Sequence, residues 1–420
     1  MMRCGLLGRK LGHSYSPQLH GFFGRYAYEL FEVEPEKLGE FLQQEDFHGL
    51  NVTIPYKKAV IPYCRELSPT ARAIGSINTI CRLPDGALYG ENTDAAGFEG
   101  LLVRSGISPK GKKALVLGSG GASLTVCYVL GKLGAAEVVV ISRSGENSYQ
   151  NLDRHADAQL LVNTTPVGMY PNNGEAPVDL EAFPHCEGVV DLIYNPLRTK
   201  LLLEAEKRGI ACMGGLFMLA EQARCAAEIF MGEAIPKETA QAATEKIREE
   251  KENLILVGMP GAGKSTVGRL LAEKLRRPFV DADQAAEEKL GMPVAAFLRQ
   301  YGENAFRQAE TAVLAQLGRQ SGLVVATGGG CVTRAENYSH LRQNGVIVWL
   351  ERNLADLPRA GRPLSENADL EAMYAVRRPL YETFADFTVE NEVPAAAAEE
   401  ILKNFQNSGN RRPLLKNGVV

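Results

Sequence analysis

The sequence predicts an α/β protein with more than one domain, and three observations support this. The chain has 420 residues, which is too long for one ordinary hydrophobic core. Short apolar runs alternate with amphipathic segments, as strands alternate with helices. Two of these runs, 113–117 and 254–257, lead directly into glycine-rich turns, which is typical of α/β units.

Composition and charge exclude several classes of protein. Hydrophobic residues make up 45% of the chain and charged residues 23%, as in globular domains. The net charge is −4 and no Lys/Arg run exceeds a pair, so we expect no nucleic-acid partner. Eight scattered cysteines without a C-x-x-C pair, and no secretory signal, predict reduced thiols and a cytoplasmic protein. The uncharged stretch 114–131 is broken by glycines, which favours a strand, a turn and a helix over a membrane span.

The first hundred residues read as one α/β unit. Apolar stretches near 3–7, 28–33 and 48–54 alternate with helix-like segments near 16–27 and 35–44. Polar clusters stand where the strands should end, at 13–17, 51–57 and 75–94.

The polar clusters contain pairs of side chains that are two positions apart. Ser14 and Ser16 form one such pair and Asn51 and Thr53 another, so in an extended segment each pair shares a face. Hydroxyls, amides, one lysine and one aspartate suit a small polyhydroxylated acid better than an apolar ligand. Each cluster alone is more often a helix cap or a solvated surface group.

Taken together, the motifs S-x-S, N-V-T-x-P-x-K, x-N-T and N-T-D resemble the substrate domain of shikimate dehydrogenases. The resemblance runs from about residue 3 to 232 and implies reversible reduction of 3-dehydroshikimate to shikimate. It implies that Lys57 exchanges the proton with the substrate oxygen and that Asp94 bonds the same hydroxyl. It assigns shikimate binding to Ser14, Ser16, Asn51, Thr53, Asn78, Tyr194 and Gln222.

The glycine-rich turn after residues 113–117 predicts a dinucleotide site. Gly118-Ser-Gly120-Gly121-Ala122-Ser123 departs from G-x-G-x-x-G at Ser123, although it is similar to the form that shikimate dehydrogenases use. The next predicted strand, 138–141, is followed by Ser142-Arg143-Ser144. An arginine at this strand end suits a 2′-phosphate and so favours NADP. No second basic residue follows closely, so oxidation of quinate with NAD stays an alternative. About 20 residues separate Arg143 from the next signature, which indicates a shortened Rossmann half.

Three later signatures complete this resemblance: 163–169, 191–196 and 215–222. Met218 and Gln222 are four apart and share a helix face. The resemblance implies that Gln222 reaches the substrate and Met218 packs near the nicotinamide, whereas a core methionine is the alternative. The predicted NADP contacts are Gly118, Gly120, Gly121, Ala122, Arg143, Thr164 and Met218.

A phosphate-binding P-loop follows the apolar run 254–257. Gly258-x-x-x-x-Gly263-Lys264-Ser265 precedes a helix-period segment, and glycines in such a loop let backbone N–H groups and a helix N-terminus face an anion. Lys264 adds a point charge and Ser265 a hydroxyl for Mg²⁺. Downstream, Asp281 and Asp283 stand at the end of a predicted strand, where alternation should point both to one side.

Further motifs follow this P-loop. Glu303, Arg307 and Glu310 fall on one helix face, where a surface ion-pair ladder is the alternative, and three glycines, 328–330, follow a buried strand. With R-P-L at 362–364 and R-x-P-L-Y at 377–381, the series resembles shikimate kinase over residues 253–405.

The second resemblance implies phosphorylation of shikimate to shikimate 3-phosphate by Mg-ATP. It implies that Asp281 and Ser265 hold Mg²⁺, that Asp283 lies near the attacking hydroxyl, and that Arg362 neutralises the transferring phosphoryl group from a lid. ATP contacts are expected at Gly261, Ala262, Gly263, Lys264, Ser265, Thr266 and Arg359. Shikimate contacts are expected at Asp283, Arg307, Gly329, Gly330 and Arg377.

The domain organisation predicted from these patterns has five parts. They are a substrate domain over 1–100 completed by 215–235, a Rossmann NADP domain over 101–214, a solvated helical linker over 236–252, a P-loop kinase domain with a parallel sheet over 253–407, and a disordered tail over 408–420. The chain is therefore interpreted as a bifunctional enzyme acting on small molecules, without a membrane partner. A metabolite sensor that has lost catalysis is the rival, which the joint presence of Lys57, Asp94, Lys264 and Asp283 disfavours. Oligomeric state stays open.

Overall fold

The computed structural model describes residues 2–12, 14–357 and 369–407, which form two compact units. The first unit holds most of the chain up to Lys246. The second holds the chain from Ile247 onward together with the segments 170–174 and 196–203. Arg359, Arg362 and the predicted tail 408–420 lie outside the described residues.

The first unit begins with a six-stranded mixed sheet. Its strands are β1 (Arg3–Gly8), β2 (Ala27–Glu32), β3 (Gly49–Val52), β4 (Cys64–Leu67), β5 (Thr79–Arg82) and β6 (Leu88–Glu91), and its helices are α1 (Ser16–Phe23), α2 (Leu38–Gln44), α3 (Pro69–Ile74) and α4 (Thr93–Ser105). The strand order is β2-β1-β3-β5-β6-β4, with β1 parallel to β2 and β3, and β5 antiparallel to its neighbours. Of the predicted polar clusters, 13–17 follows β1, 51–57 begins at the end of β3, and 75–94 spans β5 and β6 as far as the start of α4.

A parallel five-stranded sheet forms the rest of the first unit. Its elements are β7 (Lys113–Leu117), α5 (Gly121–Lys132), β8 (Glu137–Ile141), β9 (Leu160–Asn163), β10 (Gly188–Asp191), the part of α6 (Lys200–Lys207) that follows residue 203, β11 (Ala211–Gly214) and α7 (Leu216–Met231). The order is β11-β10-β9-β7-β8. Between β8 and β9 the chain forms only a 3-10 turn at Leu152–His155, in agreement with the short spacing after Arg143. β7 and α5 also confirm that 114–131 is a strand, a turn and a helix, and no described helix is long and apolar enough to cross a membrane.

Helix α7 returns the chain to α4, against which it packs closely. A Cβ atom added at Gly97 of α4 would lie 2.7 Å from the Met218 carbonyl oxygen and 3.1 Å from Gln222 Cβ. Only glycine fits at this crossing, so α7 can bring Gln222 to the end of α4 that begins at Thr93.

The second unit contains a parallel sheet in the order β13-β14-β12-β15-β16. Its elements are α8 (Lys237–Lys251), which begins in the first unit, then β12 (Asn253–Val257), α9 (Lys264–Leu275), β13 (Phe279–Asp281), α10 (Ala282–Leu290), α11 (Val294–Arg319), β14 (Val324–Ala326), α12 (Glu336–Arg342), β15 (Gly345–Glu351), α13 (Leu370–Phe384), β16 (Phe387–Glu390) and α14 (Pro394–Asn407). The chain adds β13 and β14 on one side of the central β12 and then β15 and β16 on its other side. A crevice therefore forms at the carboxyl end of β12.

Two helices differ from expectation. α8 was predicted to be solvated, but Ala240, Ala243 and Ile247 are completely buried, so one face is covered. Small alanines gave this face no periodic signal of large apolar side chains. In α11, Gly302 has non-helical angles (φ 81°, ψ 170°), and Glu303, Arg307 and Glu310 follow this break.

Candidate active sites

Lys57 and Asp94, the predicted acid–base pair, are in direct contact. The Lys57 ammonium donates to Asp94 Oδ2 at 2.5 Å, and the two side chains are 21% and 11% exposed. Asp94 lies in the first turn of α4, where the positive end of the helix dipole favours a carboxylate. The pair is therefore a charged couple that is still open to a ligand.

The backbone around Lys57 is fixed by groups that sequence reasoning missed. Tyr56 is 1% exposed and its phenol donates to the Val33 carbonyl. The Ile77 N–H donates to the Lys57 carbonyl at 2.9 Å, and Asn92, the N-cap of α4, donates to the Ser76 carbonyl at 2.8 Å. The loop that carries Lys57 is thereby tied to the start of α4, which carries Asp94.

Ser76 has a second feature that the sequence did not reveal. It is completely buried, and its hydroxyl has no hydrogen-bond partner within the described part of the chain. A Cβ atom added at Gly121 would lie 4.0 Å from Ser76 Oγ and 3.9 Å from Lys57 Cδ. The predicted dinucleotide turn and the predicted acid–base lysine are therefore neighbours.

Asn78, Thr93 and Gln222 form one hydrogen-bonded group, although they come from distant motifs. The Thr93 N–H donates to Asn78 Oδ1 at 2.7 Å, and Asn78 Nδ2 donates to Gln222 Oε1 at 3.2 Å. Gln222 Nε2 in turn donates to the Leu219 carbonyl at 2.8 Å. Backbone groups at both ends fix the orientation of both amides.

The other predicted substrate residues lie around β1, β3 and β10. The Ser14 and Ser16 hydroxyls are 3.0 Å apart. Asn51 is 5% exposed at the end of β3, and Thr53 follows it half-buried. The Tyr194 ring lies 5.3 Å from the ring of Tyr15, and burial raises the pKa of both phenols, that of Tyr15 to about 12.

The glycine-rich turn at 118–123 connects β7 to α5. Gly118 has φ +107°, and a Cβ atom there would lie 2.8 Å from Thr164 Oγ1, so the ends of β7 and β9 bring two predicted NADP contacts together. Gly120 is the N-cap of α5. Ser123 Oγ donates to the Gly120 carbonyl at 2.6 Å, so the serine at the third-glycine position closes the turn through a hydrogen bond.

Two predicted cofactor residues differ in exposure. Arg143 follows β8 and is exposed, in a loop closed by a bridge between Ser142 and Ser148. Burial raises the pKa of Tyr149, and the positive charge of Arg143 acts in the opposite direction. Met218 is 8% exposed and belongs to the hydrophobic core with Phe98, so the core alternative describes its packing.

Lys264 in the second unit binds backbone carbonyls. It is 8% exposed at the start of α9, and its ammonium donates to the carbonyls of Gly258 at 2.8 Å and Met259 at 3.0 Å. Gly263 has φ +92° and lies against the Asn391 side chain, where any Cβ atom would collide. The loop therefore encloses the lysine with backbone dipoles.

Asp281 and Asp283 lie near each other, but not because both side chains project from one face of a strand, as predicted. Alternation along a strand does not apply, because Asp281 ends β13 and caps α10 while Asp283 lies in the first turn of α10. Solvent reaches the Asp283 side chain, but surrounding protein displaces much of its hydration and raises its pKa. Asp281 adds to this effect, whereas Lys264 and Arg307 oppose it.

A magnesium site fits the oxygen atoms of this loop. Ser265 Oγ donates to Asp281 Oδ2 at 2.6 Å, so a hydroxyl and a carboxylate converge beside the P-loop. Mg²⁺ prefers one or two such protein oxygens completed by water and phosphate. Within the described ranges no cluster of three or more His, Cys, Asp or Glu residues offers a fuller metal cage.

Arg307 and Glu310 form a buried pair, so the surface-ladder alternative is wrong for them. Their side chains are 5% and 2% exposed and joined at 2.7 Å, whereas Glu303 is 53% exposed. A Cβ atom added at Gly330 would collide with the Arg307 guanidinium. At Gly328 it would lie 2.5 Å from Glu310 Oε1 and 2.6 Å from Asp283 Oδ1. The triple glycine thus leaves room for an arginine and two carboxylates to converge.

Arg377 and Tyr381 of α13 complete this region. Arg377 donates to the Gly329 carbonyl at 3.2 Å, and the fully buried Tyr381 donates to the same oxygen at 2.5 Å. Sequence reasoning missed Tyr381 as a site residue because the R-x-P-L-Y motif gave it no separate role.

A cavity of about 550 Å³ lies beside the P-loop. Its lining includes Glu351, Arg352, Tyr374 and Asn391. Asn391 Nδ2 donates to the Ala262 carbonyl at 2.6 Å. Sequence reasoning missed Asn391, although it is the first residue after β16, at the same sheet edge as the P-loop.

Comparison with known proteins covers both units. Residues 6–80 match the shikimate dehydrogenase substrate binding domain, and residues 260–417 match shikimate kinase. The chain is 36% identical over 265 residues to a shikimate dehydrogenase (NADP(+)) from Clostridium perfringens, covering 58% of this chain and 97% of that protein.

Solved structures resemble the first unit as well. A chorismate mutase/shikimate 5-dehydrogenase fusion protein from Clostridium acetobutylicum has TM-score 0.56 and 36% identity, covering 59% of this chain and 97% of that one. The shikimate 5-dehydrogenase from Thermus thermophilus, in complex with NADP(H) and shikimate, has TM-score 0.54 and 34% identity, covering 59% and 99%.

Proposed function

The chain belongs to the shikimate dehydrogenase family and carries a shikimate kinase domain behind it, and on this premise we propose that it catalyses two consecutive reactions. The first is reduction of 3-dehydroshikimate to shikimate with NADPH. The second is phosphorylation of shikimate to shikimate 3-phosphate with Mg-ATP. The observation that carries the proposal is the presence of two differently built lysine sites, one beside each glycine-rich turn.

In the first reaction, Lys57 and Asp94 manage the proton. Bound NADPH supplies the hydride that the carbonyl carbon accepts. Lys57 gives a proton to the carbonyl oxygen as that oxygen becomes a hydroxyl, and Asp94 accepts a hydrogen bond from the new hydroxyl. The 2.5 Å contact between the two side chains would keep the amine beside this oxygen in the bound substrate. Ser14, Ser16, Asn51, Thr53, Asn78, Tyr194 and Gln222 would orient the remaining polar groups of the substrate.

In the second reaction, positive charge is placed around a transferring phosphoryl group. Lys264 lies in a loop whose amides suit phosphate oxygens, and Ser265 with Asp281 would hold Mg²⁺ between the phosphates. Arg307 and Arg377 would bind the shikimate carboxylate, for which a planar guanidinium is well shaped. Asp283 would orient the attacking hydroxyl and accept its proton. The phosphorus bond to that hydroxyl oxygen forms as the bond to ADP breaks.

Two assays on the full chain test the proposal. NADPH oxidation should depend on 3-dehydroshikimate, and ADP release from Mg-ATP should depend on shikimate. Chelation of divalent cations should stop the second assay and leave the first unchanged. A chain inactive in both assays would instead be a metabolite-binding sensor.

The choice between shikimate and quinate needs one more arm. We expect shikimate with NADP⁺ to be oxidised with a higher kcat/KM than quinate with NAD⁺, because Arg143 suits a 2′-phosphate. The reverse ranking would replace the proposed substrate pair and leave the kinase half of the proposal intact.

A further inference from the structure

Tyr28 of β2 connects a buried aromatic cluster to the predicted substrate residue Asn51. Its ring stacks on His20 with centroids 4.0 Å apart and an interplanar angle of 13°. Its hydroxyl donates to Asn51 Oδ1 at 2.8 Å and also bonds the Ser16 side chain. Two predicted substrate residues from different motifs thus share one phenol.

The direction of the hydrogen bonds at Asn51 can be traced from a backbone group. The Thr93 N–H can only donate, so Asn78 Oδ1 is an acceptor, and the Thr79 hydroxyl has its proton within reach of this oxygen at 3.3 Å and of the Thr93 hydroxyl oxygen at 3.1 Å. Thr79 has one such proton, so it accepts from Asn51 Nδ2, also at 3.3 Å. Because the Asn51 NH₂ group faces Thr79, the amide oxygen of Asn51 faces Tyr28. The Tyr28 hydroxyl is therefore the donor in this last hydrogen bond.

The environment keeps Tyr28 a donor. Burial raises the pKa of its phenol well above the ordinary value, so the proton stays in place across the working pH range. Burial also lowers the pKa of His20 to about 3, so the ring stacked on Tyr28 is neutral. Neither group titrates near neutral pH.

We propose that Tyr28 is a positioning residue of the dehydrogenase site, which fixes the Asn51 amide so that an N–H group is offered to an oxygen of the substrate. This inference rests on the proposed dehydrogenase function. Asn51 has two amide protons and Thr79 uses one, so one remains for a hydroxyl or carboxylate oxygen. Without the Tyr28 hydroxyl, the Asn51 oxygen keeps only the side chain of His20 beside it, and because that imidazole is neutral the amide can rotate to offer an acceptor to the substrate instead.

Tyr28→Phe tests the proposal, with Tyr26→Phe as the matched control. Tyr26 directly precedes β2 and belongs to the same aromatic cluster, and its hydroxyl contacts His20 Nδ1 at 2.5 Å instead of a predicted substrate residue. We expect Tyr28→Phe to raise KM for shikimate roughly 3- to 10-fold, the range for one lost hydrogen bond, with kcat changed less than about twofold. KM for NADP⁺ and the kinase rate of the same preparation should not change. Tyr26→Phe should leave all four quantities at parental values.

A double-mutant cycle with Asn51→Ala separates positioning from general packing. If Tyr28 acts through Asn51, adding Tyr28→Phe to Asn51→Ala should change KM for shikimate no further. Additive effects would overturn the proposal, as would a Tyr28→Phe enzyme in which both KM values worsen together. A parental chain that oxidises no shikimate would instead refute the proposed function, so the two failures are distinguishable.

Discussion

The two predicted catalytic lysines are both close to glycine-rich turns, yet their partners are of different kinds. Lys57 contacts a carboxylate at 2.5 Å, whereas Lys264 contacts two backbone carbonyls at 2.8 and 3.0 Å. A carboxylate can share a proton with an amine as charge moves through the reaction. Carbonyl dipoles stabilise the charge of the Lys264 ammonium, and that charge opposes the rise in the pKa of the nearby Asp283. The partner thus distinguishes an amine suited to proton transfer from one suited to phosphate binding.

Lys264→Met should have the largest effect, because it removes the charge that faces the phosphates. We expect ATP-dependent phosphorylation to fall to background, a loss of at least about 10³-fold, with NADPH oxidation unchanged. Lys274→Met is the matched control: it lies on the same helix, is 41% exposed and pairs with Glu399. Loss of both activities in Lys264→Met would refute two independent sites.

Lys57→Ala should come next, with turnover of the dehydrogenase lowered by roughly 10²–10⁴-fold. KM for shikimate should change little, because the amides and hydroxyls that bind the substrate remain. The exposed neighbour Lys58, changed to Ala, should leave the rate unchanged. A parental turnover in Lys57→Ala would remove this amine from the mechanism.

Asp283 should give the kinase reaction a pH dependence of its own. Loss of hydration raises the pKa of Asp283, and only its ionised form can accept the shikimate hydroxyl proton. The kinase kcat/KM should therefore fall on acidification at a higher pH than an ordinary aspartate, near 3.9, would give. Asp283→Asn should lower the rate roughly 10²-fold and abolish this acidic limb. The same limb persisting in Asp283→Asn would assign it to another group.

Sequence patterns predicted both glycine-rich turns and the pairing of Lys57 with Asp94 better than they predicted the buried supports. The Asn78–Gln222 bond and the Gly118–Thr164 approach were not predicted, although all four residues belong to predicted site motifs. Helix propensity and alternation did not distinguish a strand end from a helix cap at Asp281.

No sequence motif marks the buried supports as functional residues. They are Tyr28, Tyr56, Ser76 and Tyr381. Their roles depend on which distant group each one meets in the fold, and a local pattern carries no signal for such a partner. Tyr381, for example, donates to the carbonyl of Gly329, more than 50 residues away along the chain.

The smallest effect concerns Ser76, the buried hydroxyl near Lys57. Because an unpaired buried hydroxyl costs free energy, Ser76→Ala should raise the free energy of unfolding of the first unit by about 1 kcal/mol. Ser68→Ala should do the opposite, lowering it by at least about 1 kcal/mol, because the Ser68 hydroxyl caps α3 by accepting from the Ala71 N–H at 2.9 Å and also donates to the Glu91 carboxylate. Both serines are almost fully buried, so the comparison sets a hydroxyl without a described partner against one that has two.

Urea titration can follow the two units separately. Residual dehydrogenase activity follows the unfolding of the first unit. The single tryptophan, Trp349, lies in the second unit, so the urea midpoint measured by its fluorescence should be the same in both variants and the parent. A Ser76→Ala protein that is less stable than the parent would mean that this hydroxyl is paired in solution. The unpaired hydroxyl would then no longer distinguish the surroundings of Lys57 from those of Lys264. The two lysines would differ only in their partners, the Asp94 carboxylate and the carbonyls of Gly258 and Met259.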